Sequence, residues 1–169
     1  MFDLNIQSEM LPLPMRILMV CLGNICRSPL ADGVLRKKCA SLKLNWTIDS
    51  AGTANYHIGA PPDKRMIQTA LKFGVDISML RARQFVKADF DNFDYICVMD
   101  QNNYKNVMQL ASNNQEKEKV IFLLDALYPN EQSEVPDPYY GKQADFDYVF
   151  SLVDKATDAL INHLLHEKK

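Results

Sequence analysis

Four short strand-like runs alternate along this chain with longer stretches in which apolar residues recur every three or four positions. The first run, Met15 to Cys21, has no polar residue after Arg16, the pattern of a strand covered on both faces. Similar runs at 45–50, 94–99 and 120–124 predict three more strands. Helical spacing predicts a helix over 29–42, with Leu30, Val34, Leu35 and Cys39 on one face. A second spans 62–73, with Met66, Ile67, Ala70 and Leu71 inward and Gly74 as its stop. A third covers 101–111. The last covers 144–166, where Phe146, Val149, Phe150, Val153, Leu160 and Leu164 share a face. Residues 87–91 read as a short helical turn. Ala51 to Pro62 and Asp125 to Gly141 read as loops, the latter holding three prolines.

Strand and helix thus alternate as βαβαβαβα. The fold class this predicts is α/β: a four-stranded parallel sheet with helices on both faces, a flavodoxin-like three-layer sandwich. In such sheets ligands sit beyond the carboxyl ends of the strands. The loop after strand 1 and the long loop after strand 4 therefore belong to the same rim, which brings Asp137 towards Cys21.

The chemistry concentrates in that first loop, Val20-Cys21-Leu22-Gly23-Asn24-Ile25-Cys26-Arg27-Ser28-Pro29. Gly23 and Asn24 tolerate positive φ. Ser28 reads as a helix N-cap and Pro29 as the first helical residue. A short loop closing onto a helix N-terminus aims backbone N–H groups at one point, which makes a phosphate-sized anion site. Arg27 adds a planar fork for two phosphate oxygens. Cys21 sits where the anion would lie, and the same field favours its thiolate, a nucleophile facing a phosphoryl group. A carboxylic acid on the opposite loop could protonate the leaving group and then activate water. Asp137, between Pro136 and Pro138, is the candidate. From residue chemistry alone an acid and a simple turn are equal readings of it, and Glu134 and Asp125 are rivals in the same loop. Tyr56, Tyr139 and Tyr140 could wall a pocket for an aromatic ring.

Composition narrows the function. At 169 residues with 47% apolar content, residues 15–169 make one domain with a real core. Residues 1–14 read as a loosely ordered extension, with Leu11-Pro12-Leu13-Pro14 extended. They hold neither a basic cluster nor a long apolar run, so neither a signal peptide nor a membrane span is expected. A net charge of −2 points to no nucleic-acid or membrane partner. Four cysteines without a C-x2-C pair fit reduced thiols in the cytoplasm better than a disulfide scaffold or a zinc site.

The loop resembles the phosphate loop of the low-molecular-weight protein tyrosine phosphatases. The resemblance extends through Asp49-Ser50-Ala51-Gly52-Thr53, Gly59-Ala60-Pro61-Pro62-Asp63, Arg81-Ala82-Arg83-Gln84, Asp94 to Asp100 and Asp137-Pro138-Tyr139-Tyr140-Gly141. It implies hydrolysis of phosphotyrosine in proteins through a cysteinyl-phosphate, with Cys21 as nucleophile, Arg27 as phosphate clamp and Asp137 as general acid and base. It also implies a phosphate-binding loop of Leu22, Gly23, Asn24, Ile25, Cys26 and Ser28, with Ser50 supporting Asn24. The tyrosines become substrate walls and Asp100 a capping or orienting residue. No cofactor and no metal are implied. The implied partners are tyrosine-phosphorylated proteins, with inorganic phosphate and other oxyanions as product or inhibitors, acting on a monomer. Cys26 is implied as a redox partner of Cys21, forming a reversible disulfide. One departure stands out: Leu80 takes the place of a histidine that in many relatives braces the loop asparagine. Two other readings compete. A protein-arginine phosphatase branch carries threonine where this chain has Ile25, and arsenate reduction needs two further nearby cysteines, for which only Cys39 and Cys97 are available. A non-enzymatic phosphate-binding module is a third class, at odds with the presence of nucleophile, arginine and acid together.

Overall fold

The computed structural model describes residues 12–167. Residues 1–11 of the expected extension lie outside the described residues, and Pro12 to Pro14 are exposed and without regular structure. The elements run β1 (Met15–Cys21), α1 (Arg27–Ser41), β2 (Trp46–Gly52), α2 (Lys64–Lys72), α3 (Asp89–Asn92), β3 (Tyr95–Val98), α4 (Gln101–Leu110), α5 (Asn114–Glu118), β4 (Val120–Phe122) and α6 (Gln143–His166). The four strands form one parallel sheet in the order β2-β1-β3-β4. This is the α/β architecture expected, and its order reverses between β1 and β3, the point where such sheets open a binding crevice.

The two-sided burial of β1 follows from its position. Ile17, Met19 and Cys21 face one core with Leu30, Val34 and Leu35 of α1, Met66 of α2 and Phe146, Val149 and Val153 of α6. Leu18 and Val20 face a second core with Ile96 and Val98 of β3, Phe90 of α3 and Val107 of α4. Alternate side chains thus enter different layers, and a strand between two helical layers has no place for a polar residue.

Several local expectations are corrected. The first helix begins at Arg27, with Cys26 as its N-cap residue and no side-chain cap. Ser28 is therefore not the cap, and Pro29 lies inside the first turn, where its missing N–H costs nothing. Only Asn24 takes positive φ in the loop, at 56°; Gly23 does not. Gly74 does, at 71°, just past α2. In α2 the buried face is Met66, Thr69 and Ala70, and Leu71 is half exposed. Thr69 is accommodated by donating to the Arg65 carbonyl and accepting from Gln143 at the start of α6. β4 stops at Phe122 because Leu123–Ala126 winds into a 3₁₀ turn that buries Leu123 and Leu124. The short helix α5 has no buried residue and so no apolar period to announce it; the Asn113 side chain caps it by accepting from the Glu116 N–H.

Candidate active site

The loop after β1 closes on the N-terminus of α1, and its outer edge is bonded to the surrounding scaffold. The carbonyls of Cys21, Leu22 and Ile25 accept from the N–H groups of Thr53, Ala54 and Asp63 at 2.9, 2.9 and 2.8 Å. Carbonyls tied outward leave the loop's interior to its N–H groups, and α1 starts there without a side-chain cap. β2 must approach this loop closely. A Cβ on Gly52 would stand 2.7 Å from the Leu22 carbonyl oxygen and 3.1 Å from the Asn24 nitrogen, so no larger residue fits beneath the cradle without displacing it.

Behind the loop, Asn24 is almost wholly buried and its amide is fully occupied. Its Nδ2 donates to Ser28 Oγ at 2.8 Å and Ser50 Oγ at 2.9 Å. Its Oδ1 accepts from the Arg83 backbone N–H at 3.0 Å. Arg83 is itself fixed by Asp49 and Asp89 through its guanidinium and by its carbonyl, which accepts from Gly52 N–H. Asn24 Oδ1 is thus satisfied by a peptide N–H, and Leu80 packs against the main core. Ser28 Oγ lies 3.0 Å from Cys21 Sγ, where its hydroxyl can donate to a thiolate. Asn24, Ser28 and Ser50 thus hold the cradle from outside and do not line its cavity.

Arg27 is 2% exposed, a burial that requires fixed partners. One Nη donates to Asp100 at 2.7 Å and to the Val135 carbonyl at 3.1 Å, and the other to Asp137 Oδ2 at 3.2 Å. Burial alone would lower its pKa. The Cys21 sulfur and the carboxylates of Asp137 and Asp100 outweigh that and hold it above its ordinary value. Asp100 also caps α4 by accepting from the Asn103 N–H at 2.8 Å, so the β3–α4 turn both stops a strand and anchors the arginine.

The cavity above the loop has a volume of about 170 Å³. Its floor is Cys21 and Arg27, and Asp137, Tyr56, Tyr139 and Tyr140 stand around it with Leu22, Gly23, Ile25 and Cys26. Tyr139 and Tyr140 meet edge to face at 4.9 Å. The rival carboxylates lie elsewhere: Glu134 accepts from the Gln101 N–H and Asp125 from the Gln132 N–H, and neither lines the cavity. His57 does line it, beside Tyr56. Only its place next to Tyr56 in the loop after β2 marks it in the sequence.

All four cysteines are free and buried. Burial first, then the charges of Asp63, Cys21 and Asp137, push the Cys26 thiol far up, so it is uncharged at neutral pH. Burial pushes Cys39 up to about 11 and Cys97 up to about 12, and neither reaches the cavity. Among the described residues no cluster of His, Cys, Asp and Glu is placed to hold a metal ion, and no helix is long and apolar enough to cross a membrane.

A nucleophile above a helix N-terminus, an arginine beneath it and an acid at the rim can transfer a phosphoryl group. Comparison with known proteins points the same way. The family model for low molecular weight phosphotyrosine protein phosphatase matches residues 16–169. The chain is 43% identical over 136 residues to the low molecular weight phosphotyrosine protein phosphatase of Gallus gallus, spanning 79% of this chain and 85% of that one. It is 41% identical to its Homo sapiens counterpart over the same shares. Its fold is similar to a crystal structure of the Entamoeba histolytica protein tyrosine phosphatase, with a TM-score of 0.85 at 38% identity, covering 92% of this chain and 99% of that one.

Proposed function

The chain belongs to the low molecular weight phosphotyrosine protein phosphatase family, and from that premise we propose that it hydrolyses phosphotyrosine in proteins through a cysteinyl-phosphate. The observation that carries this reading is the meeting of Cys21, Arg27 and Asp137 on one cavity walled by tyrosines. The Cys21 thiolate attacks phosphorus. The phosphorus–oxygen bond to the tyrosine breaks, and the leaving oxygen takes the proton of the Asp137 carboxyl. Arg27 and the N–H groups of the loop hold the remaining phosphoryl oxygens through the transition state. The Asp137 carboxylate then takes a proton from water as that water attacks phosphorus. The sulfur–phosphorus bond breaks, releasing inorganic phosphate and the Cys21 thiolate, which Ser28 steadies by donating to it.

Residues 15–169 act in this reading as one catalytic domain and as a monomer. The substrates are tyrosine-phosphorylated proteins, and inorganic phosphate and similar oxyanions compete for the cradle. Free buried thiols fit the reducing cytoplasm. Cys26, beside Cys21 in the loop, serves as the partner that captures an oxidised Cys21 as a disulfide. The buried positions of Cys39 and Cys97 offer no relay for arsenate reduction. Ile25 at the cavity wall favours an aryl ester over phosphoarginine. Turnover of paired phosphotyrosine and phosphoarginine peptides tests this: the first is expected to be hydrolysed and the second not, and preferred hydrolysis of phosphoarginine would overturn it.

A further inference from the structure

A chain of contacts runs from the phosphate loop to the acid by a route that does not pass through Arg27. It starts at the Ile25 carbonyl, which accepts from the Asp63 N–H at 2.8 Å. The Asp63 carboxylate caps α2 and grips Arg65 at both ends, with Nε at 3.0 Å from Oδ1 and Nη2 at 2.8 Å from Oδ2. The same Nη2 reaches across to the acid loop and donates to the Tyr139 carbonyl at 2.9 Å. The guanidinium carbon lies 4.6 Å from the centroid of Phe146 and 5.6 Å from that of Tyr139, so its plane is fixed on apolar and aromatic surface as well as by hydrogen bonds. Finally, the Tyr139 N–H donates to Asp137 Oδ1 at 3.1 Å, while Asp137 Oδ2 faces Arg27. The acid is therefore held at one oxygen by the floor of the cradle and at the other by a strut that starts from the cradle's edge.

We infer that Arg65, oriented by Asp63, is a positioning residue that sets the height of the acid loop over the phosphate loop, so that Asp137 meets the oxygen of the leaving group. This rests on the reading of Asp137 as general acid. Arg65 does not itself line the cavity; it acts through Tyr139, which does. Nη2 serves the carboxylate and the carbonyl together while Nε holds the second carboxylate oxygen. A lysine keeps enough donors for both partners but loses the planar fork and its stacking on Phe146 and Tyr139, so it holds the geometry less firmly.

A role of this kind has a kinetic signature that general loosening lacks. Acid assistance matters most when the departing oxygen is a poor leaving group. The experiment measures kcat/KM across aryl phosphates, from p-nitrophenyl phosphate, with its readily expelled phenolate, to phenyl phosphate, for wild type, Arg65→Met, Arg65→Lys and Asp137→Asn. Arg65→Met is expected to lose on the order of tenfold more on phenyl phosphate than on p-nitrophenyl phosphate, with Arg65→Lys between it and wild type. Asp63→Asn retains a good α2 cap and weakens the grip on Arg65; it is expected to shift the series in the same sense, and it carries the test if Arg65→Met does not fold. If Asp137→Asn is steep across the series while Arg65→Met and Asp63→Asn lower all substrates equally or not at all, the strut is wrong and the acid stands. If Asp137→Asn itself is flat across the series, the acid assignment falls and the strut with it.

Discussion

Arg27 and Asp137 face each other at 3.2 Å across the mouth of the cavity, while the other arm of the same guanidinium is pinned to Asp100 at 2.7 Å. One side of the arginine is thus structural and the other is offered to the site. In the proposed mechanism, phosphoryl oxygens entering the cradle compete with the Asp137 carboxylate for that second arm, so substrate binding is expected to separate the two.

Removing the charge of Asp137 should therefore divide catalysis from binding. Asp137→Asn is expected to lower kcat for a phosphotyrosyl peptide by about 10²–10³-fold, in the range typical of a lost general acid. Inhibition by inorganic phosphate should be at least as tight as in wild type, because a competing negative charge has gone. Steady-state kinetics with phosphate as competitive inhibitor measures both. A variant with intact kcat would remove Asp137 from the mechanism.

Asn24 joins backbone conformation to chemistry. Its φ of 56° is uncommon for a residue with a side chain, and its amide ties Ser28, Ser50 and the Arg83 N–H together. Asn24→Ala loses all three bonds inside a buried site and keeps the left-handed strain, a cost of roughly 2–4 kcal/mol in stability. Asn24→Gly loses the same three bonds but relieves the strain. It should recover about 1 kcal/mol in urea melts while kcat/KM stays as low as in Asn24→Ala. Recovery of activity by glycine would mean that the loop needs only its backbone shape.

These two sites show what the residues made legible and what they withheld. The anion cradle could be read because its parts are contiguous: strand run, short loop, Arg27 and helix. Asp137 is 110 positions from Arg27, yet the order of elements alone placed both loops on one rim. The side-chain chemistry of Ser28 was visible, but its position was not. Cap and first-turn residues differ only in where the first helical hydrogen bond falls, and here that bond reaches back to the Cys26 carbonyl. The partner of the Asn24 carbonyl oxygen was beyond reach, since it is a backbone N–H and any residue type carries one. Asp63 and Arg65 read as an ordinary helix start until the fold set Tyr139 against them. Helix α5 is too short and too polar to show a period.

Burial holds the Cys26 thiol well above its ordinary range, which orders the steps of the proposed oxidation. Cys26 stays a neutral thiol at neutral pH, so peroxide should meet Cys21 first, and Cys26 then closes the disulfide with loss of water from the sulfenic acid. Wild-type enzyme inactivated by peroxide is expected to regain most of its activity with a thiol reductant. Cys26→Ser should lose activity at a similar rate and not recover it. Equal recovery in both would remove Cys26 from this role.

Asp63 links the stability of this region to acid pH. Its hydrogen bonds to the Arg65 side chain hold its pKa below the usual carboxylate range. A carboxylate depressed in the folded state stabilises fully above its unfolded value of about 3.9 and stops doing so as pH falls through its lower folded value. Asp63→Ala also removes the α2 cap, and it should cost about 1 kcal/mol at pH 7. In urea melts the gap to wild type is expected to narrow from about pH 4 downwards. A gap that widens in acid would show that the Asp63 charge is not a source of stability.

In the proposed mechanism the phosphoryl group passes through Cys21. Rapid acid quench of the enzyme during turnover of a phosphotyrosyl peptide, followed by mass spectrometry of the peptide containing Val20 to Pro29, tests it most directly. One phosphoryl group is expected on Cys21 in wild type and none in Cys21→Ser, which should not turn over. A phosphoryl group trapped on another residue, or turnover by Cys21→Ser, would contradict it.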